Sequence, residues 1–299
     1  MSILVVGSAN TDLIIQVDAL PEPGQTVLGG EFVTASGGKG ANQAVAVARL
    51  NGDVQFLASI GRDRFGDDLI QKYRDESIDT HLIQRPDTAS GIAMIYVAKN
   101  GQNTIAVAPG SNALLRSGHI DAAKAEFKKA SIVLTQLEIP MATVLQVART
   151  AKQNDATFVL DPAPAQILPD EIYALIDIIT PNETEATALT GIAIDGERGA
   201  FQAAQALFDK GVKNVIITLA EQGALLYNDQ TAHLIDALPV ETIDATGAGD
   251  VFNGALVSAL YWGEPMIQAV AFANRAAALS TTRLGAQPSI PFRDALKAE

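Results

Sequence analysis

Short apolar runs alternate along this chain with longer stretches in which apolar residues recur at helical spacing. Runs at residues 3–6, 54–59, 132–137, 157–160, 176–179 and 215–219 lack regular polar interruption, as strands buried on both faces do. Helical patterns occupy residues 41–50, 67–76, 142–153, 183–190, 200–210, 250–262 and 266–281, several dominated by Ala and Leu. Such alternation predicts an α/β protein: a three-layer α/β/α sandwich around a mostly parallel central sheet.

Two regions break the alternation. Residues 12–34 contain apolar runs at 13–17 and 26–28, divided by Pro21-Glu22-Pro23-Gly24. Residues 91–108 contain runs at 92–98 and 104–108, divided by Lys99-Asn100-Gly101-Gln102. Asn-Gly between apolar runs is a strong hairpin signal. Both regions read as antiparallel and form one small β-layer, suited to a lid or a subunit contact. Residues 1–299 thus read as a single α/β domain, with a β lid from about 12–34 and 91–108.

Composition narrows the partners. The chain has 299 residues, 48% of them hydrophobic, enough for a substantial core. A formal net charge of −13 argues against a nucleic acid or an anionic membrane as partner. It does not exclude ATP, which needs only a local anion site. Cysteine is absent, which removes disulfides, thiol catalysis and cysteine zinc sites. No apolar run reaches the ~18 residues that span a bilayer, and the first residues lack the pattern of a signal peptide. The expectation is a soluble cytoplasmic protein. His81, His119 and His233 are scattered without metal or triad spacing.

The chemistry concentrates at Asp244-Ala245-Thr246-Gly247-Ala248-Gly249-Asp250, just before a long apolar helix. Glycines at a helix start leave N–H groups uncovered, and the helix dipole adds positive potential. An aspartate there is either a helix cap or a base beside an anion hole, as phosphoryl transfer to an alcohol requires. Two better-known phosphate loops are excluded. Gly38-Lys39 is followed by Gly40, with Val33 at the first Walker glycine, and Phe252 occupies the third glycine of the dinucleotide fingerprint.

Polar clusters follow several strands: Ser8 to Asp12, Gln136-Leu137-Glu138, Asp161 to Pro164, Thr180 to Glu185 and Thr218 to Gly223. On parallel strands these share one rim, where ligands of open α/β sheets bind. Gly37-Gly38-Lys39-Gly40-Ala41-Asn42 again combines flexible backbone with a cation. Asn10, Asp12 and Asn42 suit the vicinal hydroxyls of a sugar, although Asx turns use the same residues.

Together and in this order, Gly37 to Asn42, Pro181 to Glu185 and Asp244 to Asp250 resemble the motifs of the ribokinase-like carbohydrate kinases. The likeness runs from Gly7 to Ser289. It implies ATP-dependent phosphorylation of the 5-hydroxyl of D-ribose, with Asp250 as base, Gly247 beside it, and the N–H groups of Ala248 and Gly249 stabilising the transferring phosphoryl group. Asn10, Asp12, Gly38, Lys39, Gly40, Ala41, Asn42, Glu138 and Asp250 would hold the sugar. Asn182 and Glu185 would serve the phosphates and Mg2+. Thr218, Leu219, Ala220, Glu221, Gln222, Gly223, Gly249 and Asn274 would line the nucleotide site. A potassium ion would lie at Asp244, Thr246, Ser280, Arg283, Gly285 and Ser289. The resemblance also implies a homodimer through the β-layer. Rival readings are the same chemistry on deoxyribose, a nucleoside or a hexose, a sugar-binding protein without catalysis, and a dinucleotide enzyme. Aromatics are only 5% of residues, and Phe32 is the single evident base-stacking candidate in the lid region, which favours a bare pentose.

Overall fold

Alternate residues of the first strand, β1 (Ser2–Val6), enter two different cores: Ile3 and Val5 join one, Leu4 and Val6 the other. This is the period-2 geometry of a strand buried on both faces. The computed structural model describes residues 1–100 and 102–296. Gly101 of the expected Asn-Gly turn, and residues 297–299 of the expected domain, lie outside the described residues.

The remaining strands are β2 (Asn10–Val17), β3 (Phe32–Gly37), β4 (Val54–Leu57), β5 (Gly91–Ala98), β6 (Asn103–Ala108), β7 (Ala130–Thr135), β8 (Thr157–Leu160), β9 (Ile178–Ile179), β10 (Asn214–Thr218), β11 (Ala224–Tyr227) and β12 (Ala232–Ile235). Among the described residues the main sheet has eight strands in the order β12-β11-β10-β9-β8-β7-β1-β4. All pairings from β10 to β4 are parallel, and β11 and β12 add an antiparallel edge. Helices Lys39–Arg49, Arg64–Asp75, Ala248–Tyr261 and Met266–Ser280 cover the face of Ile3 and Val5. Helices Ser117–Ala122, Lys124–Lys129, Met141–Gln153, Glu183–Thr190 and Glu197–Asp209 cover the other. Among the described residues no helix is long and apolar enough to cross a membrane.

The second sheet has the order β3-β2-β5-β6. Within it β2 pairs antiparallel with β3 and β5 antiparallel with β6, and the two pairs are joined through a parallel β2–β5 pairing. The register differs from expectation in one place. Residues 26–28 form no strand, and the partner of β2 is β3, from Asn10↔Gly37 to Ile15↔Phe32. The ladder closes where Gly30 N–H donates to the Gln16 carbonyl and Gln16 N–H to that of Glu31, so residues 26–28 lie beyond it, with Leu28 95% exposed. This register lays Gly37 and the following Gly38-Lys39 directly beside Asn10. Strands β11 and β12 were not expected. They are short runs closed by Asn228, whose side chain accepts from the N–H groups of Gln230 and Thr231.

Two glycines bring the rim together. A Cβ on Gly254 would stand 2.5 Å from Cβ of Ala46, so helices Ala248–Tyr261 and Lys39–Arg49 pack at backbone distance. A Cβ on Gly40 would stand 2.6 Å from the Gly7 carbonyl carbon, which seats the second helix on the end of β1.

Candidate active site

Helix Ala248–Tyr261 begins without a side-chain cap. Its N-cap is Gly247, in the left-handed region at φ 76°. Asp250 therefore does not cap the helix. Its buried carboxylate accepts from Nδ2 of Asn42 at 2.8 Å and Nε2 of Gln43 at 3.1 Å. Burial raises its pKa, and Glu138 adds to the rise. Lys39 and the two amides oppose it.

The amides at this helix start differ from expectation in one respect. Ala248 N–H donates to the Ala245 carbonyl at 3.1 Å, closing a turn, so it is already committed. Gly249 and Asp250, one residue further in, carry N–H groups that find no acceptor among the described residues. Among the described residues nothing beyond its own turn of helix lies within 4 Å of where a Gly249 Cβ would stand, so that backbone is open. It opens onto a cleft of about 710 Å³ lined by Asn182, Thr218, Ala220, Glu221, Gly223, Gly249 and Asn274, among others. Of the expected nucleotide residues, Leu219 is instead in the core, and Gln222 is exposed outside the cleft lining. The period-2 alternation leaving β10 turns Leu219 inward. No motif marks the other lining residues, 237–240 with Thr242, Phe252, Ala277, Ala278 and Thr281. Asn274 also fastens this lining, donating to the carbonyls of Ile235 and Asp236.

On the other side of Asp250 stand the sugar candidates. Glu138 accepts from Ser8 Oγ and from Lys39 N–H. Asp12 is pushed up to about 7, first by burial and then by Glu138 and Asp250. Burial would lower Lys39, but Asp250, Asp161, Glu138 and Glu185 outweigh it and hold the ammonium charged above its ordinary range. Gly38 takes φ 89°, and its missing Cβ would lie 2.7 Å from the Asn10 nitrogen. Gly40 and Ala41 do not present side chains to this space: their N–H groups donate to Ser8 Oγ and the Ser8 carbonyl, and Ala41 Cβ joins the core.

Asn182 and Glu185 form a reciprocal capping box on helix Glu183–Thr190. Both residues thus cap this helix and still sit at the site, Asn182 in the cleft wall and Glu185 within electrostatic reach of Lys39 and Asp161. Asp244 accepts from Thr246 N–H, Thr246 Oγ1 and Gly285 N–H. These bonds outweigh burial and hold its carboxyl below the usual range. The loop carrying Asp244 and Thr246 thereby meets the one carrying Gly285. Ser280 and Ser289 turn their hydroxyls to the carbonyls of Ala277 and Ala286, and the Arg283 side chain is exposed.

Five polar residues at the site were given no role from sequence. Gln43 bridges Asp250 to Asp161, Gln136 donates to Gln43, Gln287 donates to Asn42, and Asn112 donates to Asn10 while accepting from Ala9 N–H. Gln136 and Asp161 stood in marked strand-exit clusters, and Gln43 directly follows Asn42. Nothing local in the sequence flags Asn112 or Gln287.

The chain matches the pfkB family of carbohydrate kinases over residues 1–293. It is 43% identical to a ribokinase of Haemophilus influenzae, over 98% of this chain and 96% of the relative. It is 38% identical to a deoxyribokinase of Salmonella typhi, over 97% and 96%. The structure of an Arabidopsis thaliana ribokinase complexed with ribose and ATP superposes with a TM-score of 0.93 at 31% identity, covering 100% of this chain and 99% of that one. A family match across residues 1–293 and relatives 43% and 38% identical along nearly the whole chain leave one conclusion: the chain belongs to the pfkB family of carbohydrate kinases.

Proposed function

We propose that this chain transfers the γ-phosphoryl group of ATP to the 5-hydroxyl of D-ribose, giving ribose 5-phosphate and ADP. The observation that carries the reading is Asp250: a buried carboxylate at an open helix mouth, between sugar-suited polar groups and a nucleotide-sized cleft. The relatives named above as ribokinases, one of them bound to ribose and ATP, support the choice of substrates.

In this reading Asn10, Asp12, Asn42 and Glu138 fix the pentose hydroxyls. The 5-oxygen attacks the γ-phosphorus, the bond to the β-phosphate oxygen breaks, and the hydroxyl proton passes to Asp250. A sugar hydroxyl is too weak an acid to ionise beforehand, so the proton moves late, as the new bond forms. The transition state is loose, and most of the acceleration comes from alignment and charge stabilisation. Lys39 stays charged against the phosphate oxygens. The free amides of Gly249 and Asp250, with the helix dipole, receive the migrating group.

Magnesium keeps much of its water and takes one or two carboxylates with substrate phosphates. Glu185, near Lys39 and beside the cleft, suits that part. When bound with the nucleotide, the ion supplies charge neutralisation on the phosphates. Potassium fits the joined loops at residues 244–246 and 283–289, where the Asp244 carboxylate stays ionised. Ser280, Ser289 and Arg283 would contribute there through backbone carbonyls. The small sheet is the lid of a single domain. Asp12, Ala93 and Val107 are cross-strand neighbours, and Ile14 pairs with Ile95, so these residues share the lid face that carries Asp12. A homodimer would form through the opposite face. Use of ATP fits a cytoplasmic location.

A coupled ADP-release assay with ribose, deoxyribose, hexoses and nucleosides, each with and without magnesium and potassium, tests the reading. Ribose is expected to turn over fastest, and potassium to raise the rate. Preference for deoxyribose moves the substrate by one hydroxyl contact. Ribose binding by calorimetry without ADP release makes the chain a binding protein instead.

A further inference from the structure

Gln43 is fully buried, and every polar atom of its amide is engaged. Nε2 donates to Asp161 Oδ2 at 2.7 Å and to Asp250 Oδ1 at 3.1 Å. Oε1 accepts from Nε2 of Gln136, which follows β7. This fixes the amide's orientation. Turned over, its oxygen would face two carboxylates and its nitrogen another N–H donor. Gln136 leaves its own Oε1 buried without a partner among the described residues, which costs stability. Room for Gln136 exists because Gly7 has no side chain; a Cβ there would collide with that same oxygen. Backbone and core thus give way to hold one amide between two carboxylates.

We propose that Gln43, locked from behind by Gln136, is a positioning residue for Asp250: it fixes the plane of the base's carboxylate and keeps it apart from Asp161. The assignment rests on the kinase reading above. Asn42 grips Oδ2 and Gln43 grips Oδ1, so the carboxylate is held at both oxygens and cannot rotate away from the attacking hydroxyl. The charged groups around it are Lys39 on the same helix as Gln43, Glu138 after β7, Asp161 after β8 and Asp12 on β2, with Glu185 near Asp161. Three of the four that face Asp250 are acids, and burial also opposes its ionisation. The Gln43 donor favours the ionised form.

The test is Gln43→Met, which keeps the length of the side chain and removes both donor and acceptor. Misplacement of a reacting group costs on the order of 10²-fold in rate, and that loss is expected in kcat, with KM for ribose little changed. The acid limb of the kcat/KM profile, which reports the free enzyme's base, is expected to move to higher pH. A purely structural role would lower the unfolding temperature and leave that limb in place. Gln136→Met, which leaves Asp250 untouched, is expected to shift both quantities the same way by less. Unaltered kcat and acid limb in a folded Gln43→Met overturn the proposal. Should that variant not fold, an unaltered profile in Gln136→Met overturns it. Absence of ADP release from the unsubstituted protein with every sugar would instead sink the kinase reading itself.

Discussion

Asn42 and Asp250 are separated by 208 residues in the chain, yet the Asn42 amide donates to Asp250 Oδ2 at 2.8 Å. Each lies in the first turn of its own helix, and the two helices meet through Gly254 and Ala46. The contact joins a residue suited to sugar hydroxyls to the group that would take the hydroxyl proton.

Asp250→Asn keeps the side-chain volume and removes the base. Steady-state assays are expected to show kcat lower by ~10²–10⁴-fold, the usual worth of general-base catalysis. Calorimetry is expected to show ribose and ATP still bound. Turnover like that of the unsubstituted protein would reject the role of Asp250.

Gly249→Ala separates the site from the fold. Among the described residues no atom beyond its own turn of helix lies within 4 Å of the new methyl, and Ala is favoured over Gly within a helix by about 1 kcal/mol. The unfolding temperature is expected to hold or rise. The methyl stands where a phosphoryl group would approach, and loss of such a donor site costs ~10²–10³-fold in kcat. Full activity in this variant would place the anion hole elsewhere.

Asp12 gives stability a pH dependence. Its folded value is about 7, against about 4 for an ordinary aspartate in an unfolded chain. Between those values the folded protein retains a proton that the unfolded chain has released. Stability therefore falls as pH rises through that window and is level above it. Thermal unfolding across this range should show a shallower decline for Asp12→Asn, with the remainder from Asp161 and Asp250, whose values are also raised. Equal slopes for the two proteins would contradict this placement of Asp12.

The lid face away from Asp12 carries Phe32, 61% exposed, and Met94, 44% exposed. If two copies pair there, Met94→Glu puts a charge into the contact and shifts dimer to monomer in sedimentation, with the monomer still folded. A protein already monomeric at the same concentration would remove the dimer reading.

Much of this was legible in one dimension. Asp250, Gly249, Lys39 and Asn42 sit in local motifs whose glycines and helix starts are visible without coordinates. The parallel sheet followed from strand–helix alternation. Residues 26–28 misled because their apolar character says nothing about which segment completes the β2 ladder. Only the hydrogen bonds of Gly30 and Gln16 reveal that. Ala248 was expected as a free donor because spacing cannot show that its N–H closes onto Ala245.

The chain by itself determined the alternation, the glycine-opened helix starts and the residue types at the rim, because these depend on local backbone freedom and short periodicity. Tertiary structure alone decided that Gln43, Gln136, Asp161 and Gln287 converge around Asn42 and Asp250. Hydrogen bonds between distant segments depend on how helices and strands dock, and no local pattern encodes that register.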